Sequence, residues 1–290
     1  MEARRKEPRP LTMRRRKLLP LAPRRACAAF SALALSLLVS GCTPQAGSEE
    51  VRAYVDEVVP LLQRGIKADG VDWEQRHQST LDALYEADSI EETYSGLNTL
   101  AVEAGGPHSS FLSPREASDS ETTVDTERLP TVIADESIGT LTLPAFNSSD
   151  ASLEVKYAAA ALDEMAGVRA SVECGWIVDL RDNSGGNMFP MLASVAPLLV
   201  DGTVLRLQGK SGESQVDIED GRVTRFERND QLPESSALDT PVAVLTSSAT
   251  SSAAEAVVIS FLGQEGVGTF GTRTAGFTTG NEVFEMSDGA

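Results

Sequence analysis

Ser252 closes a run of hydroxyls, Thr246-Ser-Ser-Ala-Thr-Ser-Ser252-Ala-Ala-Glu255, set between an apolar strand-like stretch and a helical one. A serine at a helix N-terminus lies among backbone N–H groups without intrahelical acceptors. Such groups can bind an oxyanion as it develops on an attacked carbonyl. Ser252-x-x-Glu255 is equally the pattern of a capping box, which any helix can use. This segment alone leaves both readings open and favours the cap. A second segment, Asp179-Leu-Arg-Asp-Asn-Ser-Gly185-Gly186-Asn187, ends in paired glycines. Glycines let backbone amides approach a ligand and form an anion-binding concavity, or simply turn the chain into the next helix. The third is Gly106-Pro107-His108-Ser-Ser-Phe-Leu. His108 is one of two histidines and falls in a loop after a helix, a common place for catalytic groups. His77, the other, lies in a polar helical stretch and reads as exposed.

Two further patterns fail on context. Gly266-Val-Gly-Thr-Phe-Gly271 matches a dinucleotide fingerprint by letter, but it follows a helical stretch rather than a strand. Gly209-Lys210-Ser211 resembles the end of a phosphate loop, yet Val204 stands where the first glycine belongs. No Gly-x-Ser-x-Gly elbow and no His-Glu-x-x-His occurs. Nor does any Cys/His spacing suggest a metal site, so neither metal nor cofactor is expected.

The elements that must position these residues are legible from periodicity. Val55, Val58, Val59 and Leu62, then Leu81, Leu84 and Tyr85, then Tyr94, Leu97 and Leu100 recur at helical spacing, predicting a helical region over 51–114. Gly105-Gly106-Pro107 stops it. Residues 115–130 are acidic and rich in Ser and Thr, and read as a linker or exposed loop. From 131 to 290 strands and helices alternate. Strands are expected at Ile138–Ala145, Gly175–Leu180 and Pro241–Leu245, and near Gly268 and Val283. Helices are expected over Leu153–Met165, Met188–Leu199 and Ser252–Leu262. A hairpin turning at Asp220-Gly221 lies between. The pattern predicts an α/β core behind an N-terminal helical region.

The N-terminus has a different character. Residues 1–41 carry ten Lys or Arg against two Glu, a balance of +8. Ala26–Gly41 is uncharged and mostly apolar, too short for a permanent span, and ends Leu38-Val-Ser-Gly-Cys42. This form predicts a signal peptide over 1–42 with Cys42 as a lipidated first residue, and a polar tether over 43–50. Thr12–Leu19 also fits a twin-arginine export signal, weakly. The remaining chain holds 15 basic against 41 acidic residues, −26, which repels phosphate backbones and argues against nucleic acid as a partner. Without leader and anchor one thiol remains, Cys174, read as a small core hydrophobe.

Taken together, Gly175-Trp-Ile-Val-Asp-Leu-Arg-Asp-Asn-Ser-Gly-Gly-Asn-Met, Pro241-Val-Ala-Val-Leu-Thr, Thr250-Ser-Ser-Ala-Ala-Glu, Gly271-Thr-Arg-Thr-Ala-Gly-Phe-Thr-Thr-Gly-Asn and His108-Ser-Ser-Phe-Leu-Ser-Pro resemble the C-terminal-processing (tail-specific) serine peptidases and their tricorn-core and retinoid-binding-protein-like relatives. The resemblance runs from about Trp73 to Ala290. It implies a ClpP/crotonase-like α/β core of repeated β-β-α units and endoproteolysis of protein or peptide substrates. It puts the nucleophile at Ser252 and the oxyanion hole at Ala253 with Gly185 or Gly186. One branch of the family activates the serine with a lysine, at the position of Phe277 here, and no lysine follows Lys210. The tricorn-like branch uses a histidine, which lands on His108, and a carboxylate from beyond residue 290. Asn281–Met286 reads as a strand and Ser287–Ala290 as a turn, so a further strand is expected past Ala290. The PDZ domain common in the family has no room between His108 and the first core strand. The alternative is a lipid-anchored protein that keeps the fold, lacks the chemistry, and binds peptides or small apolar ligands.

Overall fold

Three helices pack into an N-terminal layer: α1 (Glu49–Leu62), α2 (Gly70–Tyr85) and α3 (Ile90–Gly105). The computed structural model describes residues 48–123 and 128–290, so the leader and Cys42 lie outside the described residues. Ser48 caps α1 by accepting from Val51 N, and Glu49 and Glu50 complement the positive end of the helix. Ser89 caps α3 through Glu92 N, and Gly106, at φ +99°, ends it. The apolar stripes converge: Val51, Val55 and Val58 of α1, Trp73 and Leu84 of α2, and Leu97, Leu100 and Ala104 of α3 form one buried cluster. Each large side chain buried there stabilises the fold by roughly 1.5–3 kcal/mol before entropy is charged against it.

A fourth helix, α4 (Pro114–Thr123), corrects the expectation of a loop from residue 115. Its start is a capping box: Glu116 Oε2 accepts from Ser113 N at 2.9 Å, and Ser113 Oγ from Glu116 N at 3.4 Å. Pro114 occupies the first helical position, where the missing N–H costs nothing. Composition suggested a linker, but local capping chemistry outweighs it.

The core contains eight strands: β1 (Thr131–Asp135), β2 (Ile138–Thr142), β3 (Gly175–Asp179), β4 (Gly202–Gly209), β5 (Gly212–Glu219), β6 (Arg222–Val223), β7 (Val242–Thr246) and β8 (Val267–Gly271). Its helices are α5 (Ala151–Val168), α6 (Met188–Val195) and α7 (Ala253–Phe261). The main sheet has the order β1-β2-β3-β7-β8, with β1 antiparallel to β2 and the rest parallel. Trp176, Val178, Val242 and Val244 share the fully buried face of the central strands, while the intervening apolar residues Ile177, Ala243 and Leu245 are half-buried on the other. Helices α5, α6 and α7 cover the sheet and share its core, with Tyr157, Met191, Leu192, Val257 and Phe261 buried. The rejected dinucleotide pattern at 266–271 turns out to be β8 itself.

Three differences from the sequence reading have physical reasons. The long hairpin β4–β5, turning at Lys210-Ser211, was hidden because its outward residues are mixed polar ones; β5–β6 does turn at Asp220-Gly221, both at positive φ. Val283 belongs to no strand: residues 281–286 lie against the helical layer instead, with Phe284 and Met286 joining its core and Asp288 accepting from Tyr54 (2.9 Å) and Tyr94 (2.7 Å). Cys174 is exposed, because it precedes the strand on a loop whose amide reaches back to Ser137 O. Among the described residues no helix is long and apolar enough to cross a membrane.

Candidate active site

Strands β3 and β7 are parallel neighbours, so the loops that leave their C-terminal ends emerge side by side. That is where ligands bind in open α/β sheets. The two loops are laced together by the hydroxyl cluster. Thr250 Oγ1 donates to Leu180 O at 2.7 Å, Ser251 Oγ to Ser184 O at 2.7 Å, and Ser247 Oγ to Arg181 O. Ser251 N also donates to Asn183 O at 3.2 Å. Asn183, fully buried, spends its amide on Leu143 O and Pro144 O and accepts from Gly185 N at 2.9 Å. The cluster is therefore a seam, and three of its hydroxyls are consumed in it.

Ser252 has a different role in the backbone. Its φ is +54° and ψ −119°, the conformation of the first central residue of a type II′ turn, which normally requires glycine. A non-glycine residue held there costs about 1–3 kcal/mol and persists only where its surroundings enforce it. Gly185, at φ +101°, lies so close that a Cβ there would sit 2.7 Å from Ser252 Cβ and 3.0 Å from Ala253 N. Gly186, at φ +119°, is pressed against Phe146 O. Among the described residues two backbone N–H groups here make no hydrogen bond: Ala253 N, at the first position of α7, and Gly186 N, next to Gly185. Gly185 N, by contrast, is committed to Asn183.

Glu255 does more than cap. Its carboxylate is 3% exposed and accepts four hydrogen bonds. Oε2 receives Ser252 N at 3.0 Å and Phe277 N at 2.6 Å; Oε1 receives Thr274 Oγ1 at 2.7 Å and Gly276 N at 2.8 Å. Burial pushes this carboxyl up, but the donors from Thr274, Gly276, Ser252 and Phe277 outweigh it and hold it below the usual carboxylate range.

The strip that Glu255 anchors carries His108. The imidazole stacks on the Phe277 ring, centroids 5.2 Å apart and planes 9° off parallel. His108 Nδ1 is 2.8 Å from Thr279 O, and Asn281 Nδ2 donates to His108 O at 2.6 Å. A carbonyl oxygen can only accept, so Nδ1 carries a proton, and in the neutral ring Nε2 keeps its lone pair. His108 and Ser252 share no hydrogen bond; they are connected through Phe277 and Glu255.

The model of peptidase family S41 matches residues 137–290. The chain belongs to that family. It is 28% identical over 230 residues to a nisin-resistance protein of Lactococcus lactis subsp. lactis, an alignment spanning 78% of this chain and 70% of the relative. Its fold is similar to that of a lipoprotein from Streptococcus agalactiae, with a TM-score of 0.70 at 24% identity over 82% of each chain.

Phe277 gives His108 an aromatic platform, and no lysine follows Lys210 in the sequence. Of the residues expected from the sequence, Gly185 lies against Ser252 and Ala253, Gly186 follows it, and His108 rests on Phe277; no role was expected for Asn183, for Thr279 or for the full reach of Glu255. Only Glu255 had a signal, its spacing from Ser252, and that signal reads equally well as an ordinary cap. Immediately after Gly186, Asn187 opens onto a cleft of about 430 Å³ that Glu154, Phe189, Arg225 and Arg228 also line. Glu154 is buried there between Arg228 (2.6 Å) and Asn187 Nδ2 (2.9 Å). Among the described residues no group of three or more His, Cys, Asp or Glu side chains could hold a metal.

Proposed function

We propose that this S41 chain is a serine-type endopeptidase of the cell envelope that cleaves exported proteins or peptides, with Ser252 as nucleophile and His108 as general base. The observation that carries the reading is the backbone of Ser252: a strained turn at a helix N-terminus, flanked by the uncommitted amides of Ala253 and Gly186. In this mechanism His108 Nε2 takes the Ser252 proton as Oγ attacks the substrate carbonyl. The developing oxyanion is held by Ala253 N and Gly186 N, and Gly185 is set aside because its N–H serves Asn183. The imidazolium then protonates the leaving amine, and water repeats the sequence on the acyl-enzyme. The carbonyl of Thr279 orients the imidazole, the part that a carboxylate plays in other serine peptidases.

The likeness to a nisin-resistance protein makes nisin a substrate to test. The acidic balance of the chain after residue 41 favours cationic peptides over anionic ones. Attachment through a lipid on Cys42 is part of the same proposal and is supported by the leader and the likeness to a lipoprotein. One observation favours the alternative, a binding protein without catalysis: His108 makes no hydrogen bond to Ser252. Catalytic hydrogen bonds often tighten only when substrate is present. A fluorophosphonate probe separates the two readings. Labelling of the wild type, its loss in Ser252→Ala, and hydrolysis lost equally in Ser252→Ala, His108→Ala and the double variant support the peptidase. A wild type that neither labels nor turns over supports the binder.

A further inference from the structure

We infer that Glu255 is a positioning residue that couples the nucleophile turn to the histidine, so that one buried carboxylate sets the geometry of both halves of the site. The inference rests on the assignment of Ser252 and His108 given above. A carboxylate offers about four acceptor directions, and all four are used here. One bond goes to the amide of Ser252, whose backbone sits in a glycine-like conformation that needs outside support. The other three go to Thr274, Gly276 and Phe277, a segment without regular secondary structure whose backbone is otherwise tied by Ala275 N donating to Thr250 O at 3.0 Å.

That segment is what His108 rests on. The imidazole comes from the loop after α3, in the helical layer, and reaches the site only by lying on Phe277 with Nδ1 on Thr279 O and its own carbonyl on Asn281. The link from Glu255 to His108 is therefore two contacts long: Oε2 to Phe277 N, then ring against ring. The same oxygen holds the nucleophile's amide. A capping role would need only the Ser252 bond; the three bonds to 274–277 exceed it.

The coupling has a readout independent of turnover. The chain has two histidines, so the ring nitrogens of His108 are assigned in the full-length protein by comparison with His77→Gln. Wild type is expected to show a His108 ring protonated at Nδ1. Glu255→Gln keeps the shape but presents an amide N–H₂ to two of the four donors. It should leave the fold intact, mix the His108 tautomers, and lower kcat by about 10²-fold with KM changed by less than about threefold, the loss expected of a misplaced catalytic group. Glu255→Asp should recover part of both. Thr274→Val removes one donor and nothing else, and should shift the same His108 signals by less. That variant serves if Glu255→Gln does not fold. His108 signals identical to wild type in folded Glu255→Gln, or in Thr274→Val where Glu255→Gln fails to fold, would overturn the coupling. So would a loss confined to KM. A wild type without turnover whose His108 tautomer still responds to Glu255→Gln would overturn the peptidase reading and uphold the coupling.

Discussion

Ser252 offers a test of backbone strain that does not depend on substrate. Its φ of +54° and ψ of −119° suit glycine, and holding any residue with a Cβ there costs about 1–3 kcal/mol. Ser252→Ala keeps the Cβ and therefore the strain; Ser252→Gly removes both. Glycine gives back about 0.5–1 kcal/mol through the greater freedom of its unfolded chain. The difference leaves Ser252→Gly more stable than Ser252→Ala by about 1 kcal/mol. For a folded unit of this size that is roughly a 2–4 °C rise in melting temperature. Both variants lack the hydroxyl, so the comparison isolates the Cβ, and neither should hydrolyse substrate. Calorimetric melts and urea titrations of the two proteins measure it. Asp220→Gly is the control: Asp220 also has positive φ, +50°, in a hairpin turn where Asp is tolerated, so its change should stay within about 0.5 kcal/mol. If Ser252→Gly is no more stable than Ser252→Ala, the turn is not strained and its surroundings do not force Ser252 into it.

Gly185→Ala should destabilise by about 2–3 kcal/mol and block probe labelling, since its Cβ would meet Ser251 O and Ser252 Cβ at 2.7 Å from a backbone at φ +101°. Gly167→Ala, whose Cβ meets nothing within 4 Å on α5, should instead stabilise by about 0.5–1 kcal/mol; urea midpoints of the pair check both signs. The depressed Glu255 carboxyl makes stability pH-dependent in a fixed direction. The unfolded carboxyl binds its proton more tightly than the folded one, so the contribution is complete above the unfolded value, about pH 4.5, and fades as pH falls through the folded one. Urea titrations from pH 3 to 6 should show a steeper acid limb for wild type than for Glu255→Gln; parallel limbs would contradict the depressed carboxyl. Cys42→Ser should move the exported protein from the membrane fraction to the soluble one, and unchanged fractionation would rule out the lipid anchor.

Much of this molecule follows from order along the chain. Helical spacing of Val55, Val58, Leu81, Leu84, Leu97 and Leu100 defined the first layer, because burying one stripe of a helix leaves a local record in the sequence. The apolar runs Trp176–Val178 and Val242–Val244 defined buried parallel strands for a similar reason. Ser252, His108 and the paired glycines stood out because each lies in a motif of consecutive residues. The tertiary structure decided which amides are uncommitted: Asn183 engages Gly185 N two residues on and leaves Gly186 N open, and its side chain is held in that pose by donating to Leu143 O and Pro144 O, about forty positions away. It decided that residues 281–286 lie on the helical layer rather than in a sheet, where burial of Phe284 and Met286 in that layer's apolar cluster outweighs strand propensity. It also brought His108 and Phe277, 169 positions apart, into stacking contact, with Glu255 beneath them. Such a contact leaves no periodicity in the sequence, because neither partner is repeated and neither is near the other along the chain; only packing the helical layer against the core creates it.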